Sequence, residues 1–269
     1  MDLAGLAELI RTSFDRDAIW LLVMGVPISA LGAITGGTMF LSLPLFGWVF
    51  SGAPVGVHVG NIKVGSLVRG VGTTISTRGS IDWDYCFRIS WPFLLGTIIG
   101  ARLLSESDLD RFWLVIMVVV AMGLAETAPR LQNLPRGTFK LGAFAVGLFG
   151  GYVGLGLSLL LVALIRIHQP KASDILWVTI QARFLETILC VAAVITHIIS
   201  GNIVFKMWFY WTIASLIGGL IGGKVLTKFI KLSEKQQKLF LRICYGFALV
   251  SAIVFVLEGP FEDLIPRAE

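Results

Sequence analysis

Four ionisable side chains lie inside stretches of apolar sequence. Lys63 and Arg69 belong to the second apolar segment of the chain, and Arg183 and Glu186 belong to the sixth. A charged side chain at the centre of a bilayer costs about 2.5 to 3.5 kcal/mol on insertion scales, so such residues face a bundle interior or an aqueous cavity. Because three of the four are cations, and arginine offers a fork of donors to oxyanions, the set predicts a binding site for a small anion.

The helical neighbours of these side chains are small or polar. At about 100° per residue, one narrow stripe of the second segment consists of His58, Gly65, Arg69, Gly72 and Ser76. One face of the sixth segment likewise carries Thr179, Arg183, Glu186, Thr187 and Cys190. Both helices are therefore predicted to present a polar stripe with a cation.

Two titratable residues are candidates for proton coupling, Glu186 and His58. Simpler interpretations stay open for the same side chains. Arg183 and Glu186 could form a local i,i+3 ion pair that only satisfies both charges. Lys63 and Arg69 could extend toward an interface, and His58 could be an ordinary interfacial histidine.

Glycines interrupt the first and fifth apolar segments, which are longer than one crossing needs. The first has Gly32, Gly36 and Gly37 near its centre, and the fifth has Gly151, Gly154 and Gly156. Each glycine weakens a helix by about 1 kcal/mol relative to alanine. Both segments are therefore predicted to be broken or re-entrant, which a membrane tolerates only where the backbone is buried or lines a cavity. Close packing through small residues is the alternative.

Backbone N–H groups exposed at such breaks would add hydrogen bonds for an anion. The predicted substrate site combines both breaks with both polar stripes and lies near the membrane midplane, where transporters with internal repeats bind their substrates. Its residues are Gly36, Gly37, Asn61, Lys63, Arg69, Gly154, Gly156 and Arg183.

No cofactor or metal and no enzymatic activity are expected. The cysteines, Cys86, Cys190 and Cys244, are widely spaced and have no histidine at ligand spacing. The stretch from Gly218 to Lys224 resembles a phosphate-binding loop, but Val225 stands where Ser or Thr must hold magnesium. ATP hydrolysis is therefore not expected.

The composition is that of an all-α integral membrane protein. Hydrophobic residues make up 56% of the 269 residues, charged residues only 14%, and the mean hydropathy is +0.84. A net charge of +5 could suggest nucleic acid, but the densest basic run lies between two apolar segments, which is typical of a cytoplasmic loop. The expected surroundings are membrane lipids, with no nucleic acid partner.

Eight apolar segments suggest two repeats of about four segments each. Gly79-Ser80-Ile81 resembles Gly201-Asn202-Ile203, and the GxxxG spacing of Gly96 and Gly100 returns at Gly218 and Gly222. These GxxxG pairs are expected to be contacts between helices. The segments run at about 19–50, 57–77, 88–104, 112–126, 141–165, 175–197, 207–223 and 240–257. The predicted organisation is a surface segment at 1–18, a repeat at 19–126, a linker at 127–140, a repeat at 141–258 and a tail at 259–269.

Loop charges favour one topology over another. Eight full crossings divide the loop Lys and Arg residues almost equally between the two sides of the membrane. If the first and fifth segments are hairpins instead, most of these charges fall on one side, as the positive-inside rule requires. Six crossings and two hairpins, with inverted repeats and both termini outside, are therefore predicted.

The glycine-rich motifs resemble those of a known family. Gly32-Ala-Ile-Thr-Gly-Gly-Thr-Met-Phe-Leu-Ser-Leu-Pro44 and its echo Gly150-Gly-Tyr-Val-Gly-Leu-Gly156 are similar to the signature of the sulfite exporter TauE/SafE family of bacterial membrane proteins. The turn Gly79-Ser-Ile-Asp-Trp83 and the later Gly96-x3-Gly-Ala-Arg102 are similar to that family as well. The resemblance covers nearly the whole chain and implies export of sulfite, sulfoacetate or another sulfur-containing organic anion.

Together these patterns predict a secondary transporter that exports a small sulfur-containing anion, first of all sulfite, across the bacterial inner membrane by alternating access. A channel-like anion pore and an uptake carrier for another organosulfur anion such as sulfoacetate are the alternatives. A membrane component that does not transport is disfavoured, because a scaffold has no need of buried arginine. The sequence leaves a homodimer open.

Overall fold

The structure is a computed structural model that describes residues 16–35, 38–50, 53–105, 138–152, 154, 157–169 and 175–229. The predicted fourth and eighth apolar segments, most of the N-terminal surface segment and linker, and the tail lie outside the described residues, as do Gly36, Gly37 and Gly156.

The described part of the chain consists of helices joined by turns and loops and contains no strand. Its helices are α1 (Arg16–Thr35), α2 (Met39–Val49), α3 (Val55–Thr77), α4 (Trp83–Ser105), α5 (Thr138–Tyr152), α6 (Leu157–His168), α7 (Ile175–Ile199) and α8 (Phe205–Phe229), with a single 3-10 turn at Arg78–Ser80. The prediction of an all-α protein is confirmed.

Three of the described helices are long and apolar enough to cross a membrane: Trp83–Ser105, Leu176–Ile199 and Phe205–Lys228. Large apolar side chains are exposed along their outer faces, among them Leu95, Ile98, Val191, Ile195 and Ile221. Large exposed apolar side chains along helices of this length suit a lipid environment. The chain is therefore a membrane protein.

Both glycine-rich segments are divided into two helices. In the first, α1 ends at Thr35 and α2 begins at Met39. In the other, α5 ends at Tyr152 and α6 begins at Leu157, with Gly154 between them at φ +74°. That left-handed conformation favours glycine, which has no Cβ to clash with the backbone. The predicted breaks are confirmed, whereas a re-entrant path through the membrane stays a prediction.

Each long helix of one half packs against the broken segment of the other half. Helix α4 lies along α5, and α8 lies along α1. The GxxxG glycines make both contacts close: a Cβ on Gly100 would lie 2.0 Å from the carbonyl oxygen of Leu148, and one on Gly222 would lie 2.4 Å from that of Ala30. The prediction that these glycines form helix contacts is confirmed.

Helices α3 and α7 pack against each other between these two pairs. Helix α8 covers α3, and α4 covers α7, so the neighbours again correspond between the halves. Such matched neighbours are what a duplicated chain would make. Because α3 and α7 carry the two polar stripes, their packing places both stripes in the interior of the protein.

Candidate functional site

The Glu186 carboxylate joins two arginines in the protein interior. Its Oε1 accepts a hydrogen bond of 2.8 Å from Nη2 of Arg69, which comes from α3. Its Oε2 accepts one of 3.2 Å from Nη1 of Arg183, on the preceding turn of α7. The Ser158 hydroxyl, at the start of α6, also donates to Oε2. Residues from three helices therefore converge on one carboxylate; charge-assisted bonds of this kind are among the strongest in proteins.

The same two arginines reach the break between α1 and α2. Nη1 of Arg69 donates to the Thr38 hydroxyl, and Nη2 of Arg183 donates to the carbonyl of Ile34 at 3.3 Å. Gly32 makes room for this arrangement, since a Cβ there would lie 2.8 Å from Arg69 Nη1. Residues beside the first break and on the two polar stripes thus form a single polar cluster.

Lys63 makes the matching contact at the second break. Its ammonium group donates to the carbonyl of Gly150 at 2.8 Å, in the last turn of α5. A Cβ on Gly154 would lie only 2.1 Å from the Lys63 nitrogen. The last carbonyls of a helix lack partners within the helix and carry partial negative charge, which attracts cations. Lys63 therefore holds its position through the broken helix of the other half.

The cluster carries an excess of positive charge. The buried charged side chains of the described residues are Lys63, Arg69, Arg183 and Glu186, so three cations face one carboxylate. Lys63 also interacts electrostatically with Glu186. When all four groups are ionised, the formal charge is +2, and in a medium of low dielectric constant that charge attracts anions strongly.

The burial and partners of these charged side chains rule out the simpler interpretations of an interfacial side chain and of an isolated ion pair. Lys63 and Arg69 are only 4% and 3% exposed, so neither extends to an interface. The local ion pair of Arg183 and Glu186 does form, but the closer partner of Glu186 is Arg69 from the other half of the chain. The pairing is therefore part of a larger network that links α3 with α7.

Asn61 and His58 lie on α3 about two and three helical turns before Arg69. Asn61 fastens the loop that leads into α8: its Nδ2 donates to the carbonyl of Asn202 at 3.2 Å and its Oδ1 accepts from the N–H of Val204 at 3.0 Å. His58 is buried, with Nε2 3.1 Å from the carbonyl oxygen of Phe50. The structure thus places both side chains outside the ion-pair cluster.

Gln181 on α7 makes the same pair of contacts for the loop before α4. Its Oε1 accepts from the N–H of Asp82 at 2.9 Å, and its Nε2 donates to the carbonyl of Ser80 at 3.0 Å. Asn61 and Gln181 therefore play equivalent parts in the two halves, since each side chain accepts from one backbone N–H group and donates to one carbonyl of a loop. Sequence reasoning missed Gln181, although its place in the sixth segment corresponds to that of Asn61 in the second.

Sequence reasoning also missed two hydroxyl groups of the cluster as site residues, those of Thr38 and Ser158. Each is a small polar residue just after a glycine-rich break, and that shared place was the available signal. Within the described ranges, no group of three His, Cys, Asp or Glu side chains could hold a metal ion.

The family comparison agrees with the polar cluster and the apolar helices. The family model for sulfite exporter TauE/SafE matches residues 21–255, which include every residue of the cluster. Neither the search of curated proteins nor that of solved structures found a match. Because the family match covers most of the chain, the protein belongs to the sulfite exporter TauE/SafE family, whose members are membrane transporters of sulfur-containing anions rather than enzymes.

Proposed function

We propose that the protein exports sulfite across the bacterial inner membrane by alternating access. The observation that carries the proposal is the imbalance of buried charge among the residues that the structure describes, where Lys63, Arg69 and Arg183 face the carboxylate of Glu186. A purely structural network would be expected to neutralise itself, because every uncompensated charge in the membrane interior is costly. An anion that binds beside these cations would offset the excess.

The donors suit a small oxyanion. Arg69 and Arg183 present their guanidinium groups to two oxygens that share one central atom, those of the Glu186 carboxylate. Sulfite also carries its oxygens on a single atom, and guanidinium groups bind such oxygens with directed hydrogen bonds. In the proposed site, Lys63, Thr38 and Gly154 complete the surroundings of the anion. Asn61 positions the loop before α8 and is not part of the proposed anion site.

We propose in addition that the chain consists of two repeats with the site between them. Three matched pairs of features support this. The first pair is the two helix breaks, and the second is Asn61 and Gln181, whose side chains hydrogen-bond to loop backbone. The third pair is Lys63 and Arg183, since each of these cations contacts the broken helix of the other half. A site between two repeats is the arrangement that lets one half rock against the other.

The membrane potential is a sufficient driving force for an exiting anion. One elementary charge moving across 100 mV is worth about 2.3 kcal/mol, and an inside-negative potential pushes an anion outward. No nucleotide hydrolysis is then required.

The test is efflux of sulfite from liposomes that contain the purified protein, with sulfate, thiosulfate and sulfoacetate as competitors. The proposal expects saturable efflux that a potential negative on the sulfite side accelerates. Flux that rises without saturation would indicate a pore instead. Absence of flux for all four anions would overturn the substrate assignment.

A further inference from the structure

The Glu186 carboxylate occupies the donors that an incoming oxyanion needs. Both of its oxygens are engaged, one by Arg69 and the other by Arg183 and Ser158. A sulfite ion bound to the same two guanidinium groups would meet this carboxylate within hydrogen-bonding range. The substrate and the side chain therefore compete for one set of donors.

We infer that the Glu186 carboxylate competes with the transported anion for Arg69 and Arg183, and that Glu186 takes up a proton and releases the two arginines when the anion binds. This inference rests on the proposed anion site. A protonated carboxyl group has lost the negative charge that holds both guanidinium groups, and it has gained an O–H donor that can point to the bound anion. One proton would thus bind with each anion on the loading side and leave with it on the other side.

The groups that face Glu186 make it the natural proton acceptor. They are Arg69 and Lys63 from α3, Arg183 and Cys190 from α7, and the Ser158 hydroxyl from α6. Arginine stays protonated at every accessible pH, so Arg69 and Arg183 cannot supply or accept the proton. A proton on Lys63 already adds to the positive charge, and the Cys190 thiol and Ser158 hydroxyl are neutral. A neutral Lys63 would also favour the anion by taking a proton, but of these groups only the Glu186 carboxylate competes with the anion for the two arginines.

Transport of one proton with one anion remains compatible with export. For the sulfite dianion, the complex that crosses would carry a net charge of −1 relative to the empty site. An inside-negative potential still drives that charge outward, by about 2.3 kcal/mol per 100 mV. A pH gradient would then change the direction and extent of accumulation, because the proton is a second transported species.

The test is the pH dependence of sulfite binding to the purified wild-type protein and to Glu186→Gln, a neutral residue of the same shape. Because both proteins see the same mixture of sulfite species, the ratio of their dissociation constants isolates the contribution of Glu186. We expect Glu186→Gln to bind more tightly, and we expect the wild-type-to-mutant ratio to rise with pH, with a limiting slope of about tenfold per pH unit for one linked proton. A ratio that stays constant with pH would overturn the inference while leaving the anion site intact.

Two further measurements keep the test decisive. Asp84→Asn neutralises a carboxylate in the exposed Asp84–Arg88 pair and should bind sulfite like the wild type at every pH. If Glu186→Gln does not fold, calorimetry of the wild type in two buffers of different ionisation enthalpy counts the protons taken up beyond those that sulfite itself exchanges. About one per anion is expected, and none would overturn the inference. Absence of sulfite binding by the folded wild type would instead overturn the proposed function on which the inference rests.

Discussion

Lys63 and Arg183 make the same contact from opposite halves of the chain, each donating to a carbonyl in the last turn of a helix that belongs to the other half. A cation at a helix C-terminus is worth about 0.3 to 1 kcal/mol at a surface and up to about 2 kcal/mol in a partly buried site. The two contacts tie each broken segment to the opposite polar stripe. Movement of one half against the other would therefore disturb the proposed anion site.

Arg183→Ala should reduce sulfite flux to the level of empty liposomes, because it removes one of the two guanidinium groups. Arg183→Lys keeps the charge but loses the fork of donors, so we expect flux about tenfold or more below the wild type, equivalent to about 1.4 kcal/mol. The measurement is initial sulfite efflux at equal amounts of folded protein. Arg88→Ala is the matched control, since Arg88 lies in an exposed ion pair. Wild-type flux from Arg183→Ala would contradict the site assignment.

Gly154→Ala should disturb the anion site, since the new Cβ would lie 2.1 Å from the Lys63 nitrogen. The variant also carries the cost of a left-handed conformation for a residue with a Cβ, roughly 1–2 kcal/mol. Gly201→Ala is the control, because Gly201 has φ +73° but no atom of the described residues beyond its chain neighbours would lie within 4 Å of its added Cβ.

Thermal unfolding and sulfite flux of the two glycine variants separate the backbone cost from the clash. Both variants should lose thermal stability, but only Gly154→Ala should also lose sulfite flux. Equal flux from the two variants would show that the position of Lys63 does not matter for transport.

Gly100→Ala should weaken the contact between α4 and α5, because its Cβ would meet a backbone carbonyl, that of Leu148, at 2.0 Å. Backbone gives way less readily than a flexible side chain, and overpacking typically costs about 1–3 kcal/mol. Gly79→Ala serves as control, since among the described residues only its chain neighbours lie within 4 Å of its added Cβ. We expect a clearly lower midpoint of thermal unfolding for Gly100→Ala in detergent than for Gly79→Ala. Equal midpoints would show that close packing at Gly100 contributes nothing to stability.

Asn61→Ala should lower stability by about 1–3 kcal/mol, because it leaves backbone groups of the loop before α8 without their partners. Gln181→Ala should have a similar effect on the loop before α4. The sites lie in different halves, so the two losses should add in the double variant. If Asn61 only positions this loop, Asn61→Ala should have a KM for sulfite near the wild-type value. A large rise in KM with unchanged stability would show instead that Asn61 contacts the anion.

The sequence was sufficient to predict the helix breaks and which cationic residues lie in the protein interior. Charges such as Arg69 inside apolar segments must find partners or water, and glycines such as Gly154 at the centre of a long segment weaken its helix. The partners themselves were not predictable. The contact of Arg69 with Glu186 joins residues 117 positions apart, and Lys63 bonds to a backbone carbonyl, whose position no side-chain pattern reveals.

The helix ends predicted from the apolar segments were less accurate than the helices themselves. Helix α4 begins at Trp83 and α8 continues to Phe229, beyond the apolar stretches that marked them. Polar residues at a membrane interface continue a helix without adding to its hydropathy, so an apolar window underestimates its length.

Sulfite efflux from liposomes that contain the wild-type protein, compared side by side with Arg69→Gln, tests the central claim most directly. Arg69 joins Glu186 and Thr38 in the cluster, and the substitution removes one of its three cations. We expect saturable efflux from the wild type, accelerated by a potential negative on the sulfite side, and efflux near that of empty liposomes from Arg69→Gln as folded protein. Equal efflux from the two proteins would contradict an anion site built on these buried cations.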